Sequence, residues 1–236
     1  MAADTGIETR ASGEAEATLP CREKPRERAY RRFTHHLLAA QIRPGQFVTQ
    51  RELVTLTGLP LGAIRELIPR LEADGLLETV PQRGMQIASV DLKLIRNAFQ
   101  LRLIIERGAV AHFTDTAPLG VIESFIESHR TVLRLARDRI TPELLEQAQS
   151  IDWRLHDTIV DSLDNELVSS VYRVNSIKIR LIRLQYVLLT PQLLSPAMRE
   201  HLTMLAAMKR RDPARAVRAL ERHLTHARSR VMGVST

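Results

Sequence analysis

The chain has 236 residues, of which 44% are apolar and 26% charged, enough for two compact domains that each have an apolar core. The single cysteine, Cys21, cannot form an internal disulfide, and no apolar run is long enough to span a membrane. We therefore expect a cytoplasmic protein without membrane segments. The net charge of +7 suits a polyanionic partner. Because both halves of the chain carry an excess of positive charge, this excess does not show which half binds such a partner.

The N-terminal segment changes character near residue 24. Residues 1–23 are rich in Ala, Thr, Glu and Gly without a sustained apolar period, which predicts a flexible tail. From residue 25 to 41 apolar side chains such as Phe33 and Leu37 recur at helical spacing, so a helix is predicted there. Pro44 and the glycine after it favour a turn that follows this helix.

Two short helices are predicted next, separated by a tight turn. Thr49 and Glu52 have the spacing of a capping box, so a helix is expected to begin at Gln50 and to end at Gly58. A second helix is predicted over residues 61–74, because apolar positions recur there and a glycine follows.

A β-hairpin is predicted after the helix pair, with strands at 76–80 and 85–89 and a turn over 81–84. Helix, turn, helix and hairpin in this order are typical of a winged helix-turn-helix, a module that reads DNA. We therefore expect a DNA-binding domain over residues 24–90.

The second helix of such a module enters the major groove, and arginines near it contact bases and phosphates. Arg65 lies one turn into this helix, Arg51 lies in the first turn of the preceding helix, and Arg83 lies at the tip of the wing. The predicted DNA-contacting residues are Thr49, Arg51, Arg65, Arg83 and Gly84.

After Ser89 the strand signal ends and amphipathic helices follow one another. Thr141 and Asp212 each precede a proline, a pattern typical of helix starts. The fold class is therefore predicted as mainly α, with an N-terminal winged helix-turn-helix domain and a C-terminal antiparallel all-α helical bundle over residues 91–232. The predicted helices are 92–115, 118–138, 142–161, 165–189, 196–211 and 213–231.

Four polar residues interrupt apolar helix faces in the second domain. Asp152 and His156 lie four residues apart within one stripe, and His201 and His223 lie within the stripes of two later helices. A bare buried carboxylate is costly, whereas one Asp and three His suit a divalent transition metal. We expect zinc first, with nickel, manganese or iron as alternatives; a purely structural hydrogen-bonded cluster is the competing interpretation.

The remaining histidines show weaker patterns. His226 lies at the edge of an apolar stripe and is expected either beside the metal ligands or in solvent. His35, His36, His112 and His129 show no partner pattern and are predicted to be structural or exposed.

Residues 30–90 resemble the N-terminal domain of GntR-family transcriptional regulators, through the stretches RPGQFVTQREL and AIRELIPRLEADGLL. The resemblance implies that Arg51 and Arg65 contact operator DNA. The chain departs from the family at Pro60-Leu61, where Ser or Thr followed by Arg is usual, so a different operator preference and a lower affinity are expected. Pro69 inside the second helix predicts a kink or a tightened turn between Arg65 and Pro69.

The C-terminal half is similar to the FCD ligand-binding domain of the FadR branch of this family, through IDWRLHDTIVDSLDN and REHLTMLAAMKRRDPARAVRALERHLTHAR. Some FCD domains bind a metal through an Asp-x-x-x-His pair and two further histidines, and the resemblance places Asp152, His156, His201 and His223 on these positions. It also implies a small carboxylate effector held by the ion and an arginine. Arg102 is the predicted anchor, with a surface or interhelix ion pair as the alternative.

These observations favour a metal-containing transcriptional repressor that binds a palindromic operator as a homodimer and responds to a small carboxylate. An enzyme is not expected, because the sequence has no His-Glu-x-x-His motif, no nucleophile arrangement and no glycine-rich phosphate loop. The alternatives are a metalloenzyme that uses the Asp/His site and a DNA-binding protein whose polar cluster is purely structural.

Overall fold

The fold is mainly helical with one small sheet, as predicted, over residues 25–186 and 190–233, which the computed structural model describes. The predicted tail at 1–23 and the end of the predicted helix 165–189 lie outside these ranges. The elements are α1 (Pro25–Leu38), β1 (Phe47–Val48), α2 (Gln50–Thr57), α3 (Leu61–Ala73), β2 (Leu77–Val80), β3 (Gly84–Ile87), α4 (Leu92–Thr116), α5 (Leu119–Asp138), α6 (Pro142–Asp161), α7 (Glu166–Tyr186), α8 (Pro191–Lys209) and α9 (Pro213–Val231).

The hairpin of β2 and β3 gains a third strand that the sequence did not predict. The antiparallel sheet has the order β1-β3-β2, with Phe47 opposite Gln86 and Val48 opposite Met85. A strand of two residues is too short to show the alternation of apolar and polar side chains that identifies strands in a sequence. It forms because β3 offers its second edge to the chain that enters α2.

Helix α2 begins and ends where the sequence predicts. The Thr49 N–H donates to Glu52 Oε2 at 2.6 Å, and the Glu52 N–H donates to Thr49 Oγ1 at 3.2 Å, which completes the capping box. Gly58 ends the helix in the left-handed region with φ 63°.

Helix α3 remains α-helical through Pro69, so the tightened turn, one of the two predicted outcomes, is wrong. The other, a kink between Arg65 and Pro69, stays a prediction. Leu67, Ile68 and Leu71 are buried on both sides of the proline, and their packing compensates for its missing N–H. Pro60 occupies the N-cap position without a side-chain hydrogen bond, as its lack of a hydroxyl predicts.

Within the described residues 91–186 and 190–233, six helices form the C-terminal bundle. The side-chain caps predicted at Thr141 and Asp212 are both present. Helix α8 begins at Pro191, five residues before the predicted start, because Thr190 and Pro191 repeat the same start pattern. Pro196 lies within the helix, where the prediction wrongly took it for a boundary.

Helix α7 belongs to the cores of both halves of the chain. Its residues Ile179 and Ile182 are buried in the same apolar cluster as Phe33 and Leu37 of α1, while Tyr172 packs in the core of the bundle. No described helix is long and apolar enough to cross a membrane.

Candidate metal centre and DNA interface

Three helices direct one carboxylate and three imidazoles to a single point in the bundle. Helix α6 supplies Asp152 and His156 one turn apart, α8 supplies His201, and α9 supplies His223. All four side chains are buried, at most 4% exposed, and one ligand atom from each lies within 4.8 Å of the others. The structure thus brings together the four residues predicted from the apolar stripes.

The inward-facing atoms are the Nε2 atoms of the histidines and one oxygen of Asp152. His201 Nε2 lies 3.2 Å from His223 Nε2, 3.4 Å from His156 Nε2 and 3.2 Å from Asp152 Oδ1. Asp152 Oδ1 also lies 3.6 Å from His156 Nε2. Two atoms bound to one ion at about 2.0–2.1 Å lie at most about 4.2 Å apart, so each of these four separations allows both atoms to bind the same ion.

Acceptors outside the cluster fix the protons of two of the histidines. His156 Nδ1 lies 2.8 Å from Glu106 Oε2, and His223 Nδ1 lies 2.8 Å from Glu200 Oε2. Because carboxylates accept, each Nδ1 carries the proton and each Nε2 lone pair points inward.

His201, the third histidine of the cluster, is held by His129, for which the sequence showed no partner pattern. His129 is buried on α5, and its Nδ1–H donates to the Phe125 carbonyl at 2.7 Å. Its Nε2 therefore accepts from His201 Nδ1 at 3.1 Å, and the Nε2 lone pair of His201 also points inward.

Three imidazole lone pairs that face one another without a shared proton repel, and a cation at their centre removes this repulsion. Three nitrogens and one oxygen are a donor set that zinc, nickel, manganese and iron accept. The residues present therefore fit a divalent transition metal.

Burial and neighbouring charges keep these side chains in the form that binds metal. Burial lowers the pKa values of His156, His201 and His223, so their imidazoles stay neutral near pH 7. Burial alone would raise the pKa of Asp152, but the Arg183 guanidinium holds it well below its usual value. The carboxylate is therefore ionised.

A cavity of about 40 Å³ adjoins the cluster, with Asp152 and His223 in its wall. Three arginines also line it: Arg102, the predicted anchor, and Arg183 and Arg230, which the sequence analysis missed. The rest of the wall is apolar and consists of Phe99, Ile179, Leu193, Ala197, Ala227 and Val231.

Each arginine of the cavity pairs with a carboxylate that contacts the histidine cluster or belongs to it. Arg102 Nε lies 2.5 Å from Glu106 Oε1 on its own helix, which differs from the interhelix pair that the sequence left open. Arg183 pairs with Asp152. Arg230 pairs with Glu200, which also contacts the half-exposed His226.

Trp153 directly follows Asp152 on α6. Trp153 lies against α7, where the Arg180 guanidinium carbon is 4.1 Å from the centre of the indole ring. Arg180 also lies 3.4 Å from Asp157 Oδ2, one turn along α6. The indole is therefore held between α6 and α7, directly beside the ligand Asp152.

The predicted DNA-contacting residues all lie exposed on the N-terminal module. Arg65 Nε lies 3.4 Å from Gln50 Oε1, which brings the start of α2 next to α3. The Thr49 hydroxyl is engaged in the capping box, so it positions the helix that carries Arg51.

The wing tip of the module depends on a glycine. Gly84 has φ 95°, and a Cβ built there would lie 3.1 Å from the Val48 carbonyl oxygen. A glycine is therefore required at this position, next to the exposed Arg83.

Comparison with known proteins gives two family matches. The FCD domain matches residues 97–226, and the bacterial regulatory proteins of the gntR family match residues 25–87. The transcriptional repressor RspR of Escherichia coli K12 is 24% identical over 202 residues, which cover 84% of this chain and 85% of that protein.

Solved structures show the same fold. A GntR transcriptional regulator from Rhodococcus sp. RHA1 superposes with a TM-score of 0.72 at 15% identity, covering 89% of this chain and 99% of that one. Escherichia coli McbR/YncC gives a TM-score of 0.68 at 15% identity, covering 90% and 99%. Because the FCD match spans more than half of the chain and the gntR match covers the winged module, the chain belongs to the GntR family of transcriptional regulators with an FCD domain, and it is a DNA-binding regulator, not an enzyme.

Proposed function

We propose that this regulator holds a divalent transition metal on Asp152, His156, His201 and His223 and is a repressor controlled by a small carboxylate bound beside it. The inward convergence of three Nε2 lone pairs and one carboxylate oxygen carries the proposal. Zinc is the first candidate, with nickel, manganese and iron as alternatives. The ion would supply a Lewis-acidic positive charge that attracts an anionic oxygen.

The charges around the cavity support an anionic ligand. Arg102, Arg183 and Arg230 are each balanced by one carboxylate, so a divalent ion leaves the site with an excess of positive charge. A carboxylate offsets this excess and accepts hydrogen bonds from guanidinium groups. A volume of about 40 Å³ limits the effector to a few non-hydrogen atoms unless the walls move.

For the output, we propose that two copies bind a palindromic operator in the cytoplasm. Arg51, Arg65 and Arg83, together with Thr49 and Gly84, form the DNA face. The relative RspR is named as a transcriptional repressor, which supports repression as the direction of control. Effector binding changes operator affinity only by favouring one relative placement of the two DNA modules.

Metal content tests the core of the proposal. Protein purified without added metal should contain about one transition-metal ion per chain by elemental analysis, since four buried ligands converge. His156→Ala and His223→Ala should lose the ion, whereas the control His112→Ala, at an exposed position on α4, should retain it. Protein that neither contains nor takes up metal, with both variants as stable as the wild type, would identify the cluster as structural.

DNA binding and effector response are tested on an operator selected from random duplex DNA. Arg65→Ala should abolish the gel shift without unfolding the module, while Arg134→Ala on α5 should bind normally.

For the effector response, metal-loaded protein bound to the operator is titrated with mono-, di- and tricarboxylates. If no carboxylate releases the operator, the effector assignment is wrong. If Arg65→Ala still shifts the operator in the gel, the assignment of Arg65 to the DNA-binding surface is wrong.

A further inference from the structure

The first residue of helix α3 is an apolar side chain that the fold does not bury. Leu61 is 40% exposed, and it belongs to none of the apolar clusters of the described residues. The chain departs from the family at this position, where arginine is usual. Because no apolar core holds this side chain, packing within the chain does not account for a leucine here.

Leu61 lies where the module is expected to face DNA. In a helix-turn-helix, the early residues of the second helix point at base edges in the major groove. Arg65 follows one turn later on the same side of α3, and its Nε lies 3.4 Å from Gln50 Oε1 at the start of α2. The first turn of α3, residues 61–64, has no acidic side chain that would repel phosphates. Leu61 therefore shares one face with the proposed contact Arg65.

The surface beside Leu61 is open to a base pair. A Cβ built on Gly62, the next residue, would meet nothing within 4 Å. Since Gly62 itself has no side chain, DNA can approach the backbone of α3 closely at this point.

The chemistry of leucine selects one feature of the major groove. Its side chain has neither a hydrogen-bond donor nor an acceptor, so it cannot pair with the polar edges of the bases. The C5-methyl group of thymine is the apolar group that the major groove displays. An arginine at the same position would instead pair with O6 and N7 of guanine.

We propose that Leu61 contacts the C5-methyl group of a thymine in the operator, so that the protein selects a T·A pair at that position. This inference rests on the proposed DNA face and adds a base-specific contact to it. Burial of one methyl group corresponds to a change of about fourfold in affinity, which a binding titration resolves.

Deoxyuridine scanning tests the contact, because uracil differs from thymine only by lacking this methyl group. Each thymine of an operator selected from random duplex DNA is replaced in turn, and the dissociation constant is measured by gel-shift titration. For the wild type, the replacement should raise the dissociation constant about fourfold at the contacted thymine. In Leu61→Ala the same replacement should have no effect, since the partner of the methyl group is already removed. If no thymine shows this coupling to Leu61, the proposal is wrong.

The start of α5 offers a matched control. Leu119 is the first residue of that helix and is 45% exposed, and it stands between a proline and a glycine, as Leu61 does. Leu119→Ala should keep the wild-type response to uracil. The same loss of coupling in Leu119→Ala would show that the effect does not come from a contact at α3.

A second selection of operators, with Leu61→Arg, should replace the T·A pair by G·C at the same position. Retention of the T·A pair would contradict the proposal. Arg65→Ala separates this inference from the proposed DNA face. If Arg65→Ala loses binding and the uracil scan of the wild type shows no effect, the DNA face stands and the role of Leu61 alone is overturned. If Arg65→Ala still shifts the operator, the result counts against the DNA face, and the uracil coupling alone decides the role of Leu61.

Discussion

Glu106 joins the proposed metal ligands to the wall of the cavity. Its carboxylate contacts His156 Nδ1, Arg102 Nε and the Tyr172 hydroxyl, and it is completely buried. Burial alone would raise its pKa, but the Arg102 guanidinium and His156 hold it far below the usual value. Glu106 therefore orients one ligand of the proposed metal and one cation of the proposed effector site at the same time.

Glu106→Gln should weaken metal binding about 10- to 100-fold, because the amide is a poorer acceptor for the His156 N–H. Competition with a chelator of known affinity measures this. Glu123→Gln removes an exposed carboxylate that pairs with Lys209 on the surface, and it should leave the affinity unchanged. An unchanged affinity in Glu106→Gln would show that His156 is oriented by packing alone.

Arg183→Ala should destabilise the metal-free protein by about 3 kcal/mol, because it leaves the buried Asp152 carboxylate without its cation. Urea unfolding in the presence of EDTA measures this loss. Adding zinc should reduce the difference from the wild type, since the ion replaces the missing positive charge beside Asp152. An equal loss with and without zinc would contradict the placement of the ion on Asp152.

At the scale of single elements, α3 continues as an α-helix past a proline in its second half. Replacement of this exposed residue, Pro69→Ala, restores an N–H that can bond to the Arg65 carbonyl. We expect the free energy of unfolding to rise by about 1–3 kcal/mol in urea titration. Glu66→Ala, at an exposed position of the same helix, should change it by less than about 0.5 kcal/mol. If Pro69→Ala leaves the free energy of unfolding unchanged, the helix is bent in a way that suits the proline.

Local patterns made most elements predictable from the sequence. The capping box at Thr49 and the proline starts at Pro142 and Pro213 act over three or four residues, so a single stretch of chain reveals them. The four inward-facing polar residues were found for the same reason, since helical periodicity alone selects the buried face.

The partners of these side chains could not be predicted, because they come from other helices. Glu106 meets His156 across 50 residues of sequence, and His129 meets His201 across 72. Only tertiary packing brings such residues together. The spacing of residues along the sequence therefore gives no sign of these pairs. Strand β1 escaped prediction for a related reason, as its existence depends on the free edge of β3.

At the scale of the whole molecule, the two halves share a core through α7. Ile179 and Ile182 pack with Phe33 and Leu37, and the Tyr186 hydroxyl donates to the Val90 carbonyl at 3.2 Å between the two halves. The proposed metal site is attached to the same helix through Arg183, which pairs with Asp152. A change at the site can therefore reach the DNA-binding module along one rigid element.

This shared core predicts a single cooperative thermal transition in calorimetry for the full chain. Chelation of the metal should lower the midpoint of the whole transition, because ligand binding stabilises every part that unfolds together. Free metal at a hundred times its dissociation constant should add about 2.7 kcal/mol to the free energy of unfolding. Two separate peaks, with only one shifted by EDTA, would show that the DNA-binding module unfolds independently.

The stacking of Trp153 on Arg180 gives the protein an optical reporter of its own state. It is the only tryptophan in the chain, and it directly follows Asp152 on α6. Its fluorescence therefore comes from one location, between the helix that carries two of the proposed ligands and the helix that reaches the DNA-binding module. Binding at the site and motion of α7 can be followed by emission from the unlabelled protein, free of any signal from the winged module.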